Sequence, residues 1–134
     1  MKHLSLFRLF AIAVMLLTVL SCKKNKDSNN SGSSRNIKYE VSGNASGKLN
    51  IVYYNAQGSA TTLTNVSLPW SKEITVENSA AYAGFTISAA GGGAGTAGQS
   101  VTAKLYAGGV VKKSQTATVD NNGYVQIGPL MHYF

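Results

Sequence analysis

Four features of this 134-residue chain have residue types that can do chemistry: a glycine run, two glutamates, a histidine and a lone cysteine. Gly93-Ala94-Gly95-Thr96-Ala97-Gly98 has the G-x-G-x-x-G spacing with which a backbone cradles a pyrophosphate. That chemistry needs a helix next, so that the phosphates meet a helix N-terminus. The next residues, Gln99-Ser100-Val101-Thr102-Ala103-Lys104-Leu105, alternate as a strand does, so the run reads as a loose loop. No lysine directly succeeds the glycines, which excludes a P-loop. Glu73 and Glu77 share a strand face, but four strand steps of about 3.3 Å separate their backbones by about 13 Å. Glycoside hydrolysis works at roughly 5 to 9.5 Å, so the two read as solvated surface charges. His132 has no cysteine near it and few carboxylates, and neither a zinc set nor a Ser–His–acid triad can be built on it. The expectation is a protein that is not an enzyme, with no catalytic residues, metal or cofactor.

Cys22 has a different chemistry in view. Lys2, His3 and Arg8 precede an apolar run from Leu9 to Leu17, and Thr18-Val19-Leu20-Ser21-Cys22 closes it. These are the three parts of an export signal, and the run is shorter than the roughly 20 residues of a comfortable membrane span. Val19-Leu20-Ser21-Cys22 resembles the bacterial lipobox, in which the cysteine is acylated and becomes the new N-terminus. Residues 1–21 are therefore read as a lipoprotein signal peptide. Residues 22–35 are read as the lipidated Cys22 and a flexible polar tether, because they have no apolar period with which to build a core. Two or more acyl chains suffice for a stable anchor. The residue after the cysteine, Lys23, lacks acidic character, and an outer-membrane lipoprotein on the periplasmic side is expected.

Charge points the same way. The formal net charge is +7, but residues 36–134 hold six lysines against four acids, and the excess sits in the leader and tether. Nucleic-acid binding asks for a basic stripe on the folded part, so nucleic acid is excluded as a partner. With 13% charged residues, 44% hydrophobic residues and 14 glycines, the chain suits short strands and turns around one core. A large multidomain enzyme is excluded on length.

The elements that must carry any site are strands. Ile37, Tyr39 and Val41 alternate with Lys38 and Glu40, and Leu49, Ile51 and Tyr53 repeat the pattern. Residues 55–59 are a turn that makes a hairpin with Thr61-Thr62-Leu63-Thr64. Pro69 has no N–H for a ladder, which makes Val66-Ser67-Leu68-Pro69-Trp70 an edge or a crossover between sheets. Ile74 and Val76, Phe85 and Ile87, then Val101, Ala103 and Leu105 supply further inner faces. Gly108-Gly109 is a two-residue hairpin turn before the return of Val111 to Val119, and Asp120-Asn121-Asn122-Gly123 turns into Tyr124-Val125-Gln126-Ile127. Seven to eight short strands at this spacing predict an all-β, antiparallel immunoglobulin-like β-sandwich over residues 36–134.

Tyr39-Glu40-Val41-Ser42-Gly43, Leu49-Asn50-Ile51-Val52-Tyr53-Tyr54-Asn55 with Gly58, and Val66-Ser67-Leu68-Pro69-Trp70-Ser71-Lys72 together resemble the MmpS family of transport accessory proteins. The likeness continues through residues 85–90 and 101–109. It implies a membrane-anchored β-sandwich that assists a resistance–nodulation–division (RND) transporter of the MmpL type. Leu68, Pro69 and Trp70 are its most specific piece, with Trp70 expected as a core anchor. Mycobacterial-type members carry a cysteine pair in the last strands; here Ala103 stands near one position, and Val125 is the candidate for the other. The family's usual anchor is a transmembrane helix, which a lipobox replaces here.

The function expected is that of a membrane-anchored envelope lipoprotein that binds a partner as an accessory to RND-type transport or export. The alternative is a cell-surface immunoglobulin-like module that binds glycan or host protein. Aromatic residues are enriched where partners bind most strongly. Tyr54, Tyr82, Tyr106, and Met131-His132-Tyr133-Phe134 are therefore the candidate contacts, and the terminal four are also a candidate strand for a partner's sheet edge.

Overall fold

The computed structural model describes residues 33–134; the leader, Cys22 and the lysines of the tether lie outside the described residues. Eight antiparallel strands succeed one another: β1 (Asn36–Gly43), β2 (Leu49–Tyr54), β3 (Ala60–Val66), β4 (Trp70–Thr75), β5 (Tyr82–Ala89), β6 (Ser100–Ala107), β7 (Val110–Thr118) and β8 (Gln126–Tyr133). They form two four-stranded sheets, in the orders β4-β1-β6-β7 and β3-β2-β5-β8. Among the described residues there is no helix. Only β2–β3 and β6–β7 are hairpins within a sheet. Every other connection crosses from one sheet to the other, so the chain laces the two layers together.

Period-two alternation builds the core. Ile37, Tyr39 and Val41 of β1 and Val101, Ala103 and Leu105 of β6 face Leu49, Ile51 and Tyr53 of β2 and Phe85 and Ile87 of β5, all buried. Each large aliphatic or phenyl side chain taken out of water here contributes about 1.5–3 kcal/mol. Tyr39 packs its ring against Phe85 at 5.1 Å and Tyr53 at 5.7 Å. Its hydroxyl donates to the Tyr54 carbonyl at 2.8 Å, so the phenol is satisfied where it crosses the layers. Burial pushes the Tyr39 phenol up to about 12. Ala103 and Val125 are both buried, and packing fills the core around them.

The sequence-based strands and turns are found, with three differences. The last strand does not stop at Ile127 but runs to Tyr133, pairing Tyr82 with Tyr133 and Ala83 with His132. A register shift opposite Phe85–Ile87 lets it continue past Pro129. Strand β7 exists but buries almost nothing: residues 110–116 are all exposed. It is an edge strand of its sheet, with β8 of the other sheet nearby. The glycine loop is not loose, for reasons that lie in its neighbours.

Strand directions define two ends. One holds the start of β1, the β2–β3 turn, the β4–β5 loop, the β6–β7 turn and the C-terminus. The other holds the β1–β2, β3–β4, β5–β6 and β7–β8 connections.

Candidate functional site

At the far end, three loops meet backbone to backbone. The Gly47 N–H donates to the Ala94 carbonyl at 2.8 Å, and the Ala94 N–H donates to the Gly123 carbonyl at 2.8 Å. A Cβ at Gly47 would lie 2.3 Å from the Gly93 oxygen, so only glycine allows this approach. Gln99 closes the site: its Oε1 accepts from the Ser46 N–H at 3.1 Å and the Thr96 N–H at 2.9 Å. Ala94 is buried at the centre. Gly93 and Gly95 therefore serve close packing, whereas Gly91, Gly92 and Gly98 have open space around them; the expected looseness is corrected at the packed positions by contacts from residues 47, 99 and 123. Leu68 and Trp70 pack half-buried against the core at this end, with the Trp70 ring 6.0 Å from Tyr53, while Pro69 is exposed.

The opposite end is built from side chains. Arg35 lies over the Phe134 ring at 4.4 Å, and its Nη1 donates to the carbonyls of Glu77 at 2.6 Å and Ala80 at 3.0 Å. The Val76 N–H donates to the Arg35 carbonyl at 2.9 Å, and Ser33 Oγ is hydrogen-bonded to His132 Nε2. The Phe134 N–H donates to the Ala81 carbonyl at 3.1 Å. Ser33 and Arg35, polar residues that composition groups with the tether, are thus clasped into the sandwich. Burial, aided by the charges of Lys112 and Lys113, holds the His132 imidazole below its ordinary pKa.

Of the candidate aromatic contacts, the structure brings Tyr54, Tyr82 and Tyr133 together in a chain of edge-on rings, 4.8 Å and 6.1 Å between centroids. Phe134 lies at the same end, edge-on to His132 at 5.2 Å. Tyr106 does not join them: β6 puts it on the other sheet, beside a shallow open depression of about 630 Å³. There its hydroxyl donates to Glu40 Oε1 at 3.1 Å, and Lys38 pairs with Glu40 at 2.7 Å. A hydrogen bond from Lys38 lowers the Glu40 pKa, and the same bond raises that of Lys38. Both stay ionised near neutral pH, which unfits them for passing protons there. Residues 131–133 belong to β8, not to a free tail, so they have no loose strand to donate to a partner.

The β7 edge is missed by sequence reasoning because alternation does not tell whether a strand has a neighbour on each side. Its exposed side chains include Val110 (59% exposed) and Val111 (47%), then Lys112 and Lys113. Among the described residues, no cluster of three or more His, Cys, Asp or Glu side chains is arranged to hold a metal ion.

The whole arrangement is a two-layer β-sandwich whose N-terminal root, Ser33 and Arg35, is clasped against its C-terminal strand. The chain matches the Mycobacterium membrane protein family over residues 3–127 and belongs to it, in agreement with the MmpS resemblance. The match takes in residues 3–32, outside the described residues, as well as most of the sandwich, and it brings a membrane context. No individually curated protein matches the chain.

Proposed function

We propose that the protein is a lipid-anchored envelope protein that works by contact, as an accessory to an RND-type transporter. Cys22 carries the lipid, and residues 23–32 span the gap to the sandwich. The observation that carries this reading is the clasp of Ser33 and Arg35 at one end of the sandwich. It fixes the point at which the chain enters the sandwich, at one end. Ten residues, 23–32, reach at most about 35 Å even fully extended, which keeps the sandwich near the membrane surface. The family supports the membrane context, and the MmpS resemblance supplies the transporter. The free β7 edge offers that partner a row of unpaired backbone groups, with Ser114, Gln115 and Thr116 accessible. The side of the outer membrane proposed is the periplasmic one.

Two measurements test this. Cys22→Ser in the full-length chain is expected to move the protein from the membrane fraction to the soluble one. A photo-crosslinker at Gln115 in native membranes is expected to capture an RND-type transporter; crosslinks to other proteins alone sink the accessory role. The rival reading, a surface module for glycan or host protein, predicts digestion when intact cells are treated with protease. Protection is expected here.

A further inference from the structure

Among the described residues, the large hydrophobic side chains left exposed are Val110, Val111, Tyr124 and Tyr133. They are not scattered. Val110 and Val111 begin β7, and Tyr133 (67% exposed) ends β8, all at the end where the chain enters at Ser33. Only Tyr124 (48%) lies at the far end. The Gly108 N–H donates to the Asn36 carbonyl at 2.9 Å, which ties the β6–β7 turn to the root of the tether. Lys112 and Lys113 come directly after the valines and lie near enough to His132 to act on its charge. Counted to the depth of Lys113, this end holds Arg35, Lys38, Lys72, Lys112 and Lys113 against Glu73 and Glu77, whereas at the far end Lys48 is matched by Asp120.

Apolar tips backed by lysines, beside tyrosines with an apolar ring and a polar hydroxyl, match the layered chemistry of a bilayer surface. Acyl chains lie beneath, anionic headgroups above, and tyrosine suits the boundary. The chain outside the described residues sets the distance: ten residues separate Cys22 from Ser33.

We propose that this end of the sandwich is a lipid-docking surface, with Val110, Val111 and Tyr133 seated in the headgroup region of the bilayer and Lys112 and Lys113 on anionic lipid. The proposal rests on membrane attachment through Cys22. It assigns the Tyr82–Tyr133 cluster to lipid and leaves the farther length of β7 to a protein partner. Docking then fixes the tilt of the domain relative to the bilayer.

The test uses the full-length lipidated chain in vesicles of phosphatidylcholine and phosphatidylglycerol, with hydroxyl-radical labelling read by mass spectrometry. Tyr124 is the internal reference, and the unlipidated Cys22→Ser chain in solution sets the unprotected ratio. The Tyr133-to-Tyr124 labelling ratio is expected to drop about fivefold on vesicles. The substitution pair Val110→Asp and Lys112→Glu, at exposed positions, is expected to restore it, with unchanged circular dichroism showing an intact fold. A chain that floats with the vesicles but labels both tyrosines as in solution overturns the docking surface and leaves lipid anchoring standing. A chain that does not float overturns both. Protection seen in native membranes but not in lipid vesicles overturns lipid as the occupant and gives the surface to a protein.

Discussion

The two ends of the sandwich share main-chain bonds but differ in the side chains added to them. At the far end, residues 47, 94 and 123 bring three loops into main-chain contact, and an asparagine and a glutamine side chain fill the remaining acceptor positions. At the tether end, main-chain bonds such as that from Val76 to Arg35 are joined by Arg35, His132 and the rings of Tyr54, Tyr82, Tyr133 and Phe134. Close backbone contact depends on the absence of side chains, so the far end presents little chemistry. Side-chain contact leaves rings and charges on the surface. The end that is joined to the tether is thereby also the end with something to offer a lipid or protein partner.

The contrast can be broken most forcefully at Gly47. Gly47→Ala drives a methyl into the Gly93 carbonyl, and a loss of about 3 kcal/mol is expected. Urea unfolding monitored by the single Trp70 reads this directly. Gly92→Ala, in the same loop but with open space around it, is expected to cost about 1 kcal/mol for its positive φ alone. Equal costs for the two would remove the close-packing account of the far end.

At the tether end, Arg35→Ala removes two carbonyl partners and the stacking on Phe134. It is expected to cost about 1 to 2 kcal/mol and to speed amide exchange at residues 77–81 and 134, with the far-end loops unchanged. Acceleration at both ends would show that the two are one cooperative unit.

Tyr39→Phe leaves the ring packing and deletes the bond to the Tyr54 carbonyl, at about 1 kcal/mol. Because burial raises the phenol to about 12, the stability it contributes is complete below about pH 10 and is lost as pH climbs toward 12 in the native protein. The phenylalanine variant is expected to lack that alkaline loss. The smallest effect belongs to His132. Its pKa is held down in the fold, so the stability it contributes is present above about pH 6.5 and falls as the solution is acidified. The His132→Gln chain is expected to show a shallower acid slope in urea midpoints.

The sandwich is readable from sequence because alternate residues of a strand face opposite ways: Ile37, Tyr39 and Val41 announce a buried face without reference to anything distant. The crossover at Leu68-Pro69-Trp70 and the turn at Gly108-Gly109 are readable for a similarly local reason, a missing N–H and a tolerance of positive φ. The end of β8 is not. Gly128 and Pro129 interrupt the alternation, and only pairing with β5 shows that Leu130 returns to the core. The grouping of Tyr54, Tyr82 and Tyr133 without Tyr106 depends on which sheet each strand joins, which no local pattern encodes.

The amino-acid order by itself determined where strands run, which side chains enter the core and where a lipid anchor is expected, since these depend on period, turn chemistry and a short motif. Tertiary structure alone decided that Gly93 and Gly95 are packing positions, that Arg35 and Ser33 are clasped to the C-terminus, and that exposed valines, lysines and a tyrosine gather at one end. Those facts rest on contacts between residues as far apart as 33 and 132, and only the lacing of the two sheets brings such residues within reach of each other.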